Sequence, residues 1–133
     1  MIDRATLLDY LQHAKLPELL GVYAFGSRIT GQARPDSDLD LALLVSGYAD
    51  PVALWELSSA LVDLLGCPVD LLDFRAASTV LQYQILTTGE RWWAKNWQTD
   101  AYEAAVLNDM HNLNTARAPL LADILREGQV YAR

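Results

Sequence analysis

Asp38-Leu39-Asp40-Leu41-Ala42-Leu43-Leu44-Val45 reads as one buried β-strand that opens on two carboxylates. A strand alternates its side chains, so Asp38, Asp40, Ala42 and Leu44 share one face while Leu39, Leu41, Leu43 and Val45 share the other. Residues at i and i+2 on a strand stand roughly 6–7 Å apart at the backbone. Two anions that close at the start of an apolar strand raise the pKa of one partner unless a cation neutralises them. A divalent ion does so, and an all-oxygen ligand set favours Mg²⁺ or Mn²⁺ over zinc. The same residues also fit a plainer reading, with Asp38 capping a turn and Asp40 solvated at a strand end.

Upstream, Leu20 to Phe25 predicts a short buried strand closed by Gly26. Gly26-Ser27 has two readings. Glycine punctuates turns and serine caps helices. Glycine also lets a phosphate reach the backbone, where Ser27 and the first N–H groups of a brief helix, Ser27 to Thr30, would hold its oxygens. Arg34-Pro35-Asp36-Ser37 is turn chemistry, with Asp36 solvated. Before these, Asp3 caps a helix expected to reach about Lys15, with Leu7, Leu8, Leu11 and Ala14 on one face.

Downstream, Asp50-Pro51 opens a helix that runs to about Leu65 and ends at Gly66. Pro68 to Phe74 predicts a third strand with Asp70 and Asp73 on opposite faces, Asp73 facing the surface or capping the next helix. A helix follows over about Ala77 to Thr88, then an extended Glu90 to Lys95. From Thr99 a helix carries Tyr102, Val106, Met110 and Leu113 on one side, with Pro119 expected to interrupt or kink it. Strands separated by helices predict an α/β (α+β) sandwich: one small mixed sheet of at least three strands, flanked by helices, with a helical carboxy-terminal segment.

The bulk numbers agree with a single domain. The chain has 133 residues, 52% of them hydrophobic, which suffices to bury a core without staples. Charges within the first ten residues argue against a signal peptide, and no apolar run approaches a membrane span. The single cysteine, Cys67, can form no internal disulfide, so a reducing cytoplasm is expected and Cys67 reads as a small core residue. Ten basic against 17 acidic residues give a net charge of −7. Nonspecific nucleic-acid affinity comes from Lys and Arg displacing counterions, so direct binding to RNA or DNA is not expected.

Gly26-Ser27, ten intervening residues, then Asp38-Leu39-Asp40 between two strands, with Asp70 on a third, resembles the signature of the DNA polymerase β-like nucleotidyltransferase superfamily. The size, the Ser37-Asp38-Leu39-Asp40-Leu41 wording and Val69-Asp70-Leu71 are similar to its minimal nucleotidyltransferase (MNT) branch, over about Leu7 to Lys95. The resemblance implies a nucleotidyltransferase fold over residues 1–97, with 98–133 as a helical extension packed on the same domain. It implies that Gly26 and Ser27 contact the β- and γ-phosphates of ATP. Asp38, Asp40 and Asp70 would hold two Mg²⁺ ions, Asp70 also helping to deprotonate the acceptor hydroxyl. Two ions about 3.5–4 Å apart can stabilise the attacking and leaving oxygens of an in-line displacement, so pyrophosphate would leave as AMP is attached.

Arg28 could reach a phosphate or lie on the surface. His13 and His111 have no partnered Cys or His and are not read as metal ligands. Trp92, Trp93 and Trp97 fit equally a core rim or an interaction patch. About 40 residues follow the nucleotidyltransferase core, too few for the large helical domain of aminoglycoside-modifying relatives. The resemblance then points to the antitoxin of an MNT–HEPN toxin–antitoxin module, which AMPylates a tyrosine of a HEPN ribonuclease toxin. Two alternatives stay open at this point: a non-catalytic antitoxin that masks the toxin by binding, and a small-molecule, aminoglycoside-type nucleotidyltransferase.

Overall fold

The computed structural model describes residues 3–31 and 38–126, with the side chains of 28, 30 and 113–126 outside that description. The elements run α1 (Arg4–Gln12), β1 (Leu19–Phe25), α2 (Ser27–Thr30), β2 (Leu39–Val45), α3 (Pro51–Leu65), β3 (Val69–Asp73), α4 (Thr79–Thr88), β4 (Glu90–Ala94) and α5 (Trp97–Arg126). The strands form one mixed sheet in the order β3-β2-β1-β4. β1 is antiparallel to both neighbours, and β2 and β3 are parallel. A parallel pair needs a crossover, and α3 supplies it.

Helix boundaries follow from capping chemistry. Asp3 starts α1 by accepting from the Thr6 N–H at 3.3 Å and from the Thr6 hydroxyl at 2.6 Å. α1 ends three residues before the expected Lys15, because Leu16 N–H donates to Ala14 O in a tight turn that leaves the helical path. α3 opens as read, with Asp50 accepting from Ala53 N–H and Pro51 in the first turn, and Gly66 closes it at φ +73.

The alternation read along β2 is the one that divides the core. Leu39, Leu41, Leu43 and Val45 join Leu7 and Leu11 of α1 and Leu54, Leu57 and Leu61 of α3 on one face. Ala42 and Leu44 join Tyr23, Phe74, Ile85 and Val106 on the other. Each fully buried leucine contributes about 1.5–3 kcal/mol relative to an exposed one, so this patterning alone fixes the strand's register. Cys67 packs partly buried against the first cluster.

Two readings need correction. Of the two outcomes expected at Pro119, interruption is overturned, since α5 continues from Trp97 to Arg126. A proline removes one ladder bond and crowds one turn, and a 30-residue helix has turns enough on either side to absorb that loss. Asp73 is neither at the surface nor the cap of α4. It is buried, with Oδ2 accepting from Ala49 N–H at 2.9 Å and Oδ1 from Arg75 N–H at 3.1 Å. Ser78 caps α4 instead. Trp92 and Trp93 pack on the first cluster, in keeping with the core-rim reading, while Trp97 is 72% exposed. On α5, Val106 and Tyr102 face the sheet as expected, whereas Leu113 lies outside the described side chains.

Candidate active site

The sheet brings three strand ends side by side. The β1–β2 register sets Phe25 opposite Asp40, and the β2–β3 register sets Asp40 opposite Asp70. Residues paired in register share a sheet face, so Asp40 and Asp70 project together from adjacent strands. Asp38 is exposed one residue before β2, and Asp70 is exposed on β3. Asp40 is half-buried, and that burial pushes its pKa above the ordinary aspartate value, with the charges of Asp70 and Asp38 adding to the effect.

Gly26 follows β1 at φ +84, a conformation glycine adopts without steric cost. A β-carbon there would lie 2.2 Å from Asp40 Oδ2. The glycine therefore serves two ends, a left-handed backbone turn and close approach to a carboxylate. Its carbonyl accepts from Ile29 N–H at 3.1 Å, which starts the single turn of α2 behind Ser27. Arg28 lies in α2, but its side chain and the whole of Asp36 are outside the described residues.

Among the described residues, no three His, Cys, Asp or Glu side chains stand together as a ready metal-holding group. The backbone nevertheless sets Asp38 and Asp40 at the start of β2 beside Asp70 of β3, and like charges this close favour side chains that point apart. Carboxylate oxygens alone fit a hard ion such as Mg²⁺. His13 is exposed and bonded through Nδ1 to Asp9 O, and His111 is exposed on α5, so neither joins the site.

A cleft of about 310 Å³ adjoins the glycine-serine turn, walled by Phe25, Gly26 and Ser27 on one side and Leu81, Gln84, Ile85 and Thr88 of α4 on the other. Gly89 lets α4 close on β1, since a β-carbon there would stand 2.6 Å from both Ala24 O and Ile85 O. The reading from residue types missed this α4 wall. Its signal was the i, i+3, i+4, i+7 spacing of Leu81, Gln84, Ile85 and Thr88, which mixes apolar and uncharged polar groups on one helical face. A larger groove of about 680 Å³ lies between α1 and α3, on the sheet face away from the carboxylates.

Residues 6–98 match the family described as polymerase beta, nucleotidyltransferase. The chain belongs to this nucleotidyltransferase family. The protein adenylyltransferase MntA of Shewanella oneidensis is 33% identical over 110 residues, covering 83% of this chain and 79% of the relative. A toxin–antitoxin crystal structure with AMP-PNP superposes with a TM-score of 0.79 at 30% identity, over 93% of this nucleotidyltransferase and 99% of that chain. A chain of the structure of tri-AMPylated Shewanella oneidensis HEPN toxin in complex with MNT antitoxin aligns with a TM-score of 0.71 at 29% identity, over 92% and 95% of the two chains. Among the described residues, no helix of this family member is long and apolar enough to cross a membrane.

Proposed function

We propose that this nucleotidyltransferase transfers AMP from ATP to a tyrosine of a HEPN-type toxin and thereby acts as its antitoxin. The observation that carries the reading is the row Gly26, Asp40, Asp70 across three adjacent strand ends. The likeness to an adenylyltransferase, and to an antitoxin whose toxin bears AMP groups, gives the acceptor class.

In this reading Asp38, Asp40 and Asp70 hold Mg²⁺, which supplies charge neutralisation for the triphosphate and for the clustered carboxylates. Gly26 lets the backbone approach Asp40 with no side chain between them, and Ser27 stands at the start of α2 to hydrogen-bond phosphate oxygens. Asp70 is exposed on β3 and takes the proton from the acceptor hydroxyl. The acceptor oxygen bonds to the α-phosphorus, the bond between the α-phosphorus and its bridging oxygen breaks, and pyrophosphate leaves. Arg28 follows Ser27 and is a candidate phosphate contact. Residues 1–97 make up the catalytic unit and 98–133 an extension, in whose described part Thr99 donates to Leu20 O and Val106 is buried. A cytoplasmic setting goes with the unpaired Cys67.

The test incubates the protein with labelled ATP, Mg²⁺ and its HEPN-type partner and locates the label by mass spectrometry. Label on a toxin tyrosine, lost in Asp38→Ala plus Asp40→Ala, is the expected result. A complex that forms without label favours masking, and transfer to an aminoglycoside without any protein favours the small-molecule reading. Persistent labelling by the double variant removes these carboxylates from the chemistry.

A further inference from the structure

α3 is apolar almost all the way round, with Glu56 and Asp63 as its two charges in 15 residues. Helices of that kind are normally buried on every side. Here Leu54, Leu57 and Leu61 face the core, yet Trp55 is 71% exposed, Val52 60% and Val62 37%. Val52, Trp55, Ser59 and Val62 follow the i, i+3, i+7, i+10 spacing of a single helical stripe.

The stripe has a definite place on the molecule. Ala53, Glu56, Leu57 and Ala60 line the groove that α3 shares with α1, so the stripe runs along the flank turned away from α1. α3 itself packs against β3, the end strand of the sheet. The outer edge of β3 pairs with no strand among the described residues, and Asp70 stands exposed on it. The apolar stripe and the carboxylate therefore flank the open strand edge, α3 on one sheet face and Asp70 on the other.

We infer that the Val52–Trp55–Val62 stripe, beside the free edge of β3, is where the acceptor protein docks, through an apolar surface bordered by Lys or Arg. The inference rests on the AMP-transfer reading and extends it by naming the surface that delivers the acceptor to Asp70. Charge selects the occupant. Glu56 and Asp63 border the stripe, Asp70 lies beyond it, and the chain carries a net charge of −7. A second copy would set acid against acid, whereas a partner with basic residues around an apolar face is complementary. A solvent-facing tryptophan is also the side chain most often found at the energetic centre of such interfaces.

The test compares wild type with Trp55→Glu and Glu56→Lys in binding the purified HEPN-type partner, by titration and by gel filtration. Both residues are exposed, so melting temperature and ATP binding stay at the wild-type values. Trp55→Glu weakens the complex by about tenfold or more and lowers labelling at limiting partner concentration. Glu56→Lys weakens it several-fold at low salt, and high salt erases the difference. Unchanged affinity in Trp55→Glu overturns the docking surface while leaving AMP transfer intact. A wild-type dimer that Trp55→Glu converts to monomer gives the stripe to a second copy and overturns it too. A wild-type chain that neither binds nor labels the partner sinks the functional reading itself.

Discussion

Gly26 and Asp40 touch so closely that residue 26 has no room for a side chain: a β-carbon would stand 2.2 Å from Asp40 Oδ2. Gly26→Ala therefore meets two penalties, a positive φ of 84° and a clash that pushes the Asp40 carboxylate aside. The backbone strain costs about 1 kcal/mol or more. Displacing a catalytic group by about 1 Å lowers the rate about a hundredfold. The expected variant is folded, slightly less stable and nearly inactive, as read by thermal melting and by transfer of labelled AMP. Wild-type rates in Gly26→Ala would remove the glycine from the site.

Burial, and then the charges of Asp70 and Asp38, push the Asp40 pKa above the ordinary aspartate value, and the sign of the resulting pH effect follows. Its folded pKa exceeds the ordinary value of about 3.9, so between the two values the native state binds more protons than the unfolded chain. Stability falls as pH rises through that window, and the penalty is fully present above it. Without metal, Asp40→Asn should melt higher than wild type at neutral pH, with the gap closing as pH drops toward about 4. Melting curves in EDTA across pH 4 to 8 measure it, and a constant gap would deny the coupling.

Much of this was legible because β2 carries a strict two-residue alternation that only one register satisfies. Leu39, Leu41, Leu43 and Val45 are interior on one face, and Ala42 and Leu44 on the other. The caps Asp3 and Asp50 and the stop at Gly66 were equally local, each requiring one side chain or one φ. Asp73 was not legible, because its acceptors are filled by Ala49 and Arg75 and a contact across 24 residues leaves no periodic trace. The α4 wall of the cleft was missed for the same reason: Gln84 and Thr88 become site residues only once Gly89 lets the helix close on β1. The interruption expected at Pro119 did not occur, because the local rule against helical proline is weaker than the cooperativity of a long helix.

Asp73 gives a prediction about stability alone. Its carboxylate satisfies two backbone donors in a buried position, and truncation leaves both without a partner. An orphaned buried donor costs about 1–3 kcal/mol, and the Arg75 donor is only part-buried and costs less, so Asp73→Ala should lose about 2–4 kcal/mol in denaturant unfolding. Asp73 projects from the sheet face opposite Asp40 and pairs with Leu43, three residues along β2 from Asp40. The folded fraction should therefore transfer AMP at the wild-type rate. A loss of rate beyond the loss of folded protein would give Asp73 a part in the chemistry.

The last prediction concerns metal and stability together. Asp38, Asp40 and Asp70 repel one another without a cation, and after burial that repulsion is what raises the Asp40 pKa. An ion that binds the folded site alone stabilises it by about 2.7 kcal/mol at a free concentration of about a hundred times Kd. Adding Mg²⁺ to wild type should raise the melting temperature in a saturable way, and EDTA should reverse the rise. Asp38→Asn plus Asp40→Asn should start higher in EDTA, because the repulsion is gone, and should not respond to Mg²⁺. The two curves should therefore converge or cross as Mg²⁺ increases. Parallel curves would mean that the ion binds elsewhere, and the carboxylate row would lose its role as a metal site.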